Sequence, residues 1–246
     1  MLLALFLIDL AAGLYVFLPL VGRRNAGVKF YRLILIIDAV LLACAAAAYV
    51  LAHAMPLAIG SGIAVLAIAF VYAVLRYPKR LILRIPAALL GIALLALGAW
   101  AWREATHSTI AWSIAGSLTS IALLGSVTLA MLLGHWYLVV RGMAIDPLKR
   151  LTWATLAAAI ARVVIVVIAL CLPGMFHAIG LRQGIFFWMR ACWGLLGPLF
   201  LYPMVWGTVK IRSTMAATGI LYVDVVAVVI GEVLGAYLAT IAHLPV

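Results

Sequence analysis

Six ionisable residues lie inside long uncharged stretches of this sequence, where charged side chains are otherwise missing. They are Asp9, Asp38, Arg162, Arg190, Asp224 and Glu232. A charged side chain in the middle of an apolar helix costs about 2.5–3.5 kcal/mol on insertion scales, so such residues usually face the interior of a helix bundle. Carboxylates and guanidinium groups in that setting either pair with one another, as Arg190 could with Glu232 or Asp9, or serve in a relay or a transport site. The sequence leaves pairing and relay open.

A second group with chemical potential is the run His135-Trp136-Tyr137, which ends a polar stripe. The stripe recurs at steps of three and four residues and comprises Ser113, Ser117, Ser120, Leu124, Thr128, Met131 and His135. This spacing predicts one helical face that packs against other helices and borders a site. An imidazole can donate to a quinone carbonyl and aromatic rings can stack on the quinone, so the run is a candidate quinone or ligand site. The alternative is that the hydroxyls only bond neighbouring helices.

The elements that must position these residues follow from hydropathy. Hydrophobic residues make up 69 % of the chain and charged residues 9 %, and the mean hydropathy is +1.31. Uninterrupted apolar runs of this length predict an all-α, polytopic membrane bundle of about eight transmembrane helices in a lipid bilayer. The predicted spans are 2–21, 31–52, 56–75, 81–102, 111–140, 151–172, 184–208 and 215–242.

Basic residues between the spans predict the orientation of the bundle. The loops after the odd-numbered spans, together with the first turn of the span that follows, hold Arg23, Arg24, Lys29, Arg32, Arg76, Lys79, Arg80, Arg84, Arg141, Lys149, Arg150, Lys210 and Arg212. The remaining loops hold only Arg103 and Arg182. Cytoplasmic loops are enriched in Lys and Arg, so both termini are predicted to be non-cytoplasmic, in a bacterial cytoplasmic membrane.

The distribution of charge and the missing motifs exclude several functions. The net charge of +11 comes from residues that flank apolar runs, which excludes a nucleic-acid-binding face. No nucleotide-binding loop or zinc-protease motif is present, and we predict no metal site. A bis-histidine haem needs two histidines that face the bundle interior at matching depth, and only His135 lies deep in a span. We therefore expect this chain to hold no cofactor alone. Contact with a quinone remains possible. The cysteines Cys44, Cys171 and Cys192 are predicted to be buried apolar side chains.

The connections are too short to hold a soluble domain, so residues 1–246 are predicted to form a single transmembrane domain. The loops 21–33 and 140–151 resemble each other in length and in their basic endings. Both follow a span that enters the predicted cytoplasmic side. Two parallel four-helix halves, 1–102 and 111–246, are therefore one interpretation of the chain.

Three functions remain open on the sequence. The first is a membrane subunit of an electron-transfer or proton-translocating, respiratory-type complex that borders a quinone site, is not catalytic alone and requires other membrane and cofactor-bearing subunits. The second is a secondary transporter or permease for a small solute. The third is a structural or assembly subunit in which the buried charges only hold helices together.

Overall fold

A computed structural model describes residues 1–74, 84–140 and 142–246 of the chain. Within these ranges every regular element is helical, and eight helical spans are long and apolar enough to cross a membrane. The chain is thus an all-helical protein whose spans indicate an integral, multi-pass membrane protein. Four residues in the orientation argument, Arg76, Lys79, Arg80 and Arg141, lie outside the described residues.

The helices follow the predicted spans closely, and two of them, α2 and α6, begin five or more residues earlier than predicted. They are α1 (Leu2–Val21), α2 (Arg23–Leu51), α3 (Met55–Val74), α4 (Arg84–Thr106), α5 (Ile110–Val139), α6 (Asp146–Leu170), α7 (Gly184–Met189), α8 (Leu196–Lys210) and α9 (Thr214–Ala242). Helix α2 gains a basic first segment that is kinked at Gly27, where φ is 77°. Helix α6 begins at Asp146 because Pro147 favours the first turn of a helix.

Two π-helical turns were not predicted from the sequence. One, Phe176–Leu181, follows α6, and the other, Arg190–Leu195, joins α7 to α8. Together α7, the second π-helical turn and α8 make up the seventh membrane span, Gly184–Lys210. A π-helical turn widens the backbone by one residue and is frequent at functional sites.

Helices α1 and α5 form the centre of the bundle, since they are the most buried of the eight spans. They meet where Gly13 faces Gly125, and a Cβ on either glycine would overlap the backbone of the other. Large apolar side chains such as Leu51 and Phe200, 82 % and 74 % exposed, cover the outside of the bundle. This arrangement, with close glycine contacts inside and apolar residues outside, suits a lipid environment.

The tail after α9 packs against the connection between α4 and α5. His243 Nδ1 lies 2.6 Å from the carbonyl oxygen of Thr106, and Val246 is fully buried. Eight crossings place both chain ends and this connection on one side of the bundle, which we call the terminal face; the other side is the opposite face.

The prediction that the three cysteines are buried is wrong. Cys44, Cys171 and Cys192 are all exposed, not buried. A cysteine in an apolar run can lie on either side of a membrane helix, because lipid accommodates it as well as the protein interior does.

Candidate functional site

The six charged residues that lie inside the uncharged stretches all point into the protein. Their exposed fractions are at most 2 % for Asp9, Asp38, Arg162, Arg190, Asp224 and Glu232. The prediction that these side chains avoid lipid is therefore confirmed. The structure brings four of them into one region, which we call the charge cluster: Asp9, Arg162, Arg190 and Glu232.

Arg162 of α6 and Glu232 of α9 form the best-defined contact in the charge cluster. Arg162 Nε donates to Glu232 Oε1 at 3.1 Å, and Nη2 donates to Oε2 at 2.8 Å. The remaining nitrogen, Nη1, donates to the Gly116 carbonyl at 3.1 Å and to Thr119 Oγ1 at 3.0 Å on α5. Trp102 adds a cation–π contact, with its ring centroid 5.4 Å from Cζ of Arg162. Every nitrogen of this guanidinium group thus has an acceptor.

Arg190 is equally buried but differently coordinated. Its Nη1 lies 2.9 Å from Glu232 Oε1, so of the two pairings that the sequence left open for Arg190, the structure has the one with Glu232. Nη1 has only this contact, and Nε and Nη2 have no hydrogen-bond acceptor among the described residues. Arg190 therefore keeps unused donors in the centre of the protein, where an unmade hydrogen bond is costly.

Glycines provide the space that Arg190 occupies. A Cβ on Gly235 of α9 would lie 2.8 Å from Nε of Arg190, and one on Gly231 would lie 3.1 Å from Nη1. Gly194, in the π-helical turn that Arg190 begins, meets the backbone of Gly231. Gly231 and Gly235 lie one helical turn apart in α9, a spacing of small residues that permits close helix contact, and here they also receive the guanidinium group.

Asp9 lies at the other end of the charge cluster. Ser117 Oγ donates to Asp9 Oδ1 at 3.4 Å, and a Cβ on Gly98 of α4 would lie 3.1 Å from the same oxygen. At a rise of 1.5 Å per residue, all four members of the charge cluster lie about 9–15 Å from the ends of their helices at the terminal face. Five spans therefore contribute polar groups to one layer of the bundle.

The other two carboxylates lie apart from the charge cluster. Neither oxygen of Asp38 in α2 has a hydrogen-bond partner among the described residues, and Oδ1 of Asp224 in α9 has none either. Asp38 is fully buried, so its carboxyl group is held without a polar contact inside the described protein.

The polar stripe of α5 faces the interior at one end only. Ser113, Ser117, Ser120 and Leu124 are buried, Thr128 and Met131 are half-buried, and His135 is exposed. The prediction that His135 faces other helices is therefore wrong. The spacing of a polar stripe shows which residues share one face of a helix. Whether that face is buried depends on where the neighbouring helices lie, which the stripe does not show. Near the opposite face α9 packs on Gly134 through Thr218, and His135 lies at the edge of that contact.

His135, Trp136 and Tyr137 do not converge on one site. His135 Nδ1 lies 3.4 Å from the hydroxyl of Tyr222 in α9. The Trp136 ring faces Phe30 in α2, with centroids 5.5 Å apart, and the Tyr137 hydroxyl donates to the carbonyl of Ala144. Successive residues of a helix point about 100° apart, so three in a row cannot line the same small pocket.

Three contributors to the charge cluster were not predicted from the sequence. Trp102, near the end of α4, is 1 % exposed and lies against Arg162. Thr119 lies next to the polar stripe, outside the predicted face. Gly194 has no sequence signal of its own, because its role depends on the π-helical turn and on Gly231 opposite.

A groove of about 540 Å³ lies on the surface between α4 and α5, and no member of the charge cluster lines it. It is apolar apart from Arg103 and Ser113. In the described part of the chain no group of three or more His, Cys, Asp or Glu residues could hold a metal ion.

The fold and the charge cluster define a polytopic membrane bundle with a buried ionic centre. No family model, curated protein or solved structure matches the chain. Its function is therefore argued from the geometry of the charge cluster.

Proposed function

We propose that this protein is a secondary transporter for a small solute, with the charge cluster as its binding centre. The observation that supports the proposal is the coordination of Arg190. A guanidinium group that served only to join helices would have its donors satisfied, as those of Arg162 are. Arg190 instead has a single ion-pair contact, and its Nε and Nη2 have no acceptor among the described residues. Buried donors of this kind suit a ligand that completes them.

The elements around Arg190 suit a site that opens and closes. The residue begins a π-helical turn, whose backbone bonding differs from that of the flanking α7 and α8. The contact of Gly194 with Gly231 has no side chains to interlock, which suits a movement of the seventh span along α9. Pro203 in α8 removes one further backbone bond.

Transport is tested in vesicles that contain only this protein. Purified protein is reconstituted, and solute-driven currents are recorded on a solid support with a panel of organic acids, amino acids, sugars and inorganic ions. We expect at least one solute to give a current, and Arg190→Lys to reduce it about tenfold or more, because lysine keeps the charge and loses the planar fork. The matched control Arg182→Lys changes an exposed arginine near the terminal face and leaves the current unchanged. Because a solute that moves together with a compensating ion gives no current, uptake of the radiolabelled solutes is measured as well. Folded, correctly inserted protein with neither current nor uptake for any solute would contradict transport.

The second proposed function is a membrane subunit of an electron-transfer or proton-translocating complex that borders a quinone site. The observation in its favour is that His135 is exposed on the outside of the bundle, beside the hydroxyl of Tyr222. A quinone in the bilayer or a partner subunit could reach both groups. Under this proposal the chain holds no cofactor itself, and its partners carry the redox centres.

Purification from native membranes in mild detergent separates the two proposals. A complex subunit copurifies with proteins that carry haem, flavin or iron–sulfur absorbance, whereas a transporter is isolated without them. In an intact complex, His135→Ala is expected to weaken quinone-dependent turnover while assembly persists. Unchanged turnover would remove His135 from a quinone site.

We also propose that both termini are non-cytoplasmic and that the membrane is a bacterial cytoplasmic membrane. The support is the charge of the connections: those at the opposite face contain most of the Lys and Arg residues outside the spans, whereas those at the terminal face contain Arg103 and Arg182.

A further inference from the structure

We infer that the solute is a small carboxylate that binds Arg190 through Nε and Nη2. This inference rests on the proposed transport function and adds the class of substrate. Its starting point is the comparison of two arginines that are both fully buried in the same layer of the bundle.

Arg162 shows the geometry that Arg190 lacks. Arg162 uses Nε and Nη2 to hold both oxygens of Glu232, at 3.1 and 2.8 Å. The same two atoms of Arg190 have no acceptor. A planar carboxylate fits this edge of a guanidinium group with two parallel hydrogen bonds, a match that a spherical ion cannot make.

The charges in direct contact also favour an anion. Arg162 and Arg190 both contact Glu232, whose Oε1 they share, so two cations meet one anion. Asp9 lies on the side of Ser117 and forms no ion pair with Arg190. Glu232 contacts only one nitrogen of Arg190. A ligand with a single negative charge, bound to Arg190, would neutralise the charge of this second guanidinium group.

The surroundings of Arg190 restrict the size of the ligand. Gly194, Gly231 and Gly235 bring two backbones against the guanidinium group, and a single methyl group at position 235 would already lie 2.8 Å from Nε. A ligand with a small group next to its carboxylate is therefore favoured over a bulky one.

Binding is measured as the thermal stability of the purified protein with acetate, lactate, acetamide, chloride and inorganic phosphate. Acetate and acetamide have the same shape and differ in charge, whereas chloride and phosphate differ from acetate in geometry. We expect acetate or lactate to raise Tm by about 5 °C or more at a hundredfold excess over Kd, and acetamide, chloride and phosphate to leave it unchanged.

Two variants locate the effect. Arg190→Lys is expected to raise the Kd for the carboxylate about tenfold or more, because the fork is lost while the charge remains. Gly235→Ala, which removes no charged group, is expected to do the same, because the added methyl group displaces the guanidinium group of Arg190. Arg182→Lys keeps the wild-type Kd. Size-exclusion chromatography shows which variants are folded, so that one variant suffices if the other fails to fold.

Several results would overturn the inference. The first is an equal rise in Tm with chloride or phosphate. The second is a rise in Tm with acetate or lactate that persists in folded Arg190→Lys and Gly235→Ala. The third is no rise in Tm with either carboxylate in the wild-type protein. Failure of the inference is distinguishable from failure of transport. Transport of only a sugar or a cation would support the transport function and contradict the carboxylate. Carboxylate binding without current or uptake would support the site and contradict transport.

Discussion

Arg162 and Arg190 are the same residue type at the same burial, yet their surroundings give them different hydrogen bonding. Both guanidinium groups are fully buried and both contact Glu232. The first has an acceptor for each of its nitrogens, whereas Nε and Nη2 of the second have none in the described part of the chain. Glu232 is therefore the residue on which the charge cluster depends, because it is the anion that both cations contact.

Replacing Glu232 with Gln should destabilise the protein by about 3–5 kcal/mol, since the variant leaves two buried guanidinium groups without a counter-charge. Equilibrium unfolding in mixed detergent micelles measures the change. Glu104→Gln serves as the control, because Glu104 is exposed, and its effect should stay within about 0.5 kcal/mol. A stability of Glu232→Gln within that same range would show that the ion pairs do not hold the helices together.

Asp38 is as buried as Glu232 but, unlike Glu232, has no ion-pair partner among the described residues. Its carboxyl oxygens have no partner in the described part of the chain, so Asp38→Asn breaks no contact and removes a group that is costly to bury in its ionised form. The variant should be at least as stable as the wild type in the same unfolding experiment. A loss of more than about 1 kcal/mol would reveal an ionic partner for Asp38 in the folded protein.

The contacts of the charge cluster could be predicted only in part from the sequence. The pairing of Arg190 with Glu232 follows from their similar depth in the membrane, which residue counts along the spans provide. The bidentate contact of Arg162 with Glu232 could not be predicted in the same way. It depends on how far each helix is rotated about its own axis, and hydropathy carries little information on that rotation.

At the scale of elements, the eight spans could be predicted because lipid demands long apolar helices with internal hydrogen bonds. The two π-helical turns could not, because their composition does not differ from that of an α-helix. The exposed position of His135 was missed for a related reason: α5 alone does not specify which neighbours enclose each of its ends.

The contact of α1 with α5 gives a prediction at this scale. Gly125→Ala places a methyl group within the backbone of Gly13, so the two central helices must separate. We expect a loss of about 1–3 kcal/mol in unfolding free energy, as for other overpacked interiors.

Gly219→Ala is the matched control for that substitution. It lies in α9 with no atom within 4 Å of the added group, so better helix propensity should leave the protein unchanged or more stable by up to about 1 kcal/mol. Equal effects of the two substitutions would contradict the assigned α1–α5 contact.

The whole molecule consists of two sets of four spans with the same order of neighbours. In the first set, α1 contacts α2 and α4, and α3 lies between these two. In the second, α5 contacts α6 and α9, and α8 lies between them. The parallel repeat of residues 1–102 and 111–246 stays a prediction, and this shared order of contacts is consistent with it.

Orientation is also decided for the molecule as a whole. Alkaline phosphatase fused after Gly174, in the connection that follows α6, should be active, because the terminal face is predicted to be non-cytoplasmic. The same enzyme fused after Gly142 should be inactive, and a green fluorescent protein at that site should fluoresce. The reverse pattern would show that the bundle is inserted in the opposite orientation. The same pattern at both sites would show that α6, which lies between them, does not cross the membrane.

The exposed cysteines make the movement of the two sets of spans measurable with few engineered positions. Cys44 lies in α2 of the first set, and Cys192 lies in the π-helical turn of the second, two residues after Arg190. With Cys171 replaced by Ser, spin labels on these two native thiols would report one distance between the sets by electron paramagnetic resonance. The Cys192 label would lie on the outside of the same turn whose inner side holds Arg190. A distance distribution that shifts on addition of a solute would thus record the motion of that turn from the lipid side.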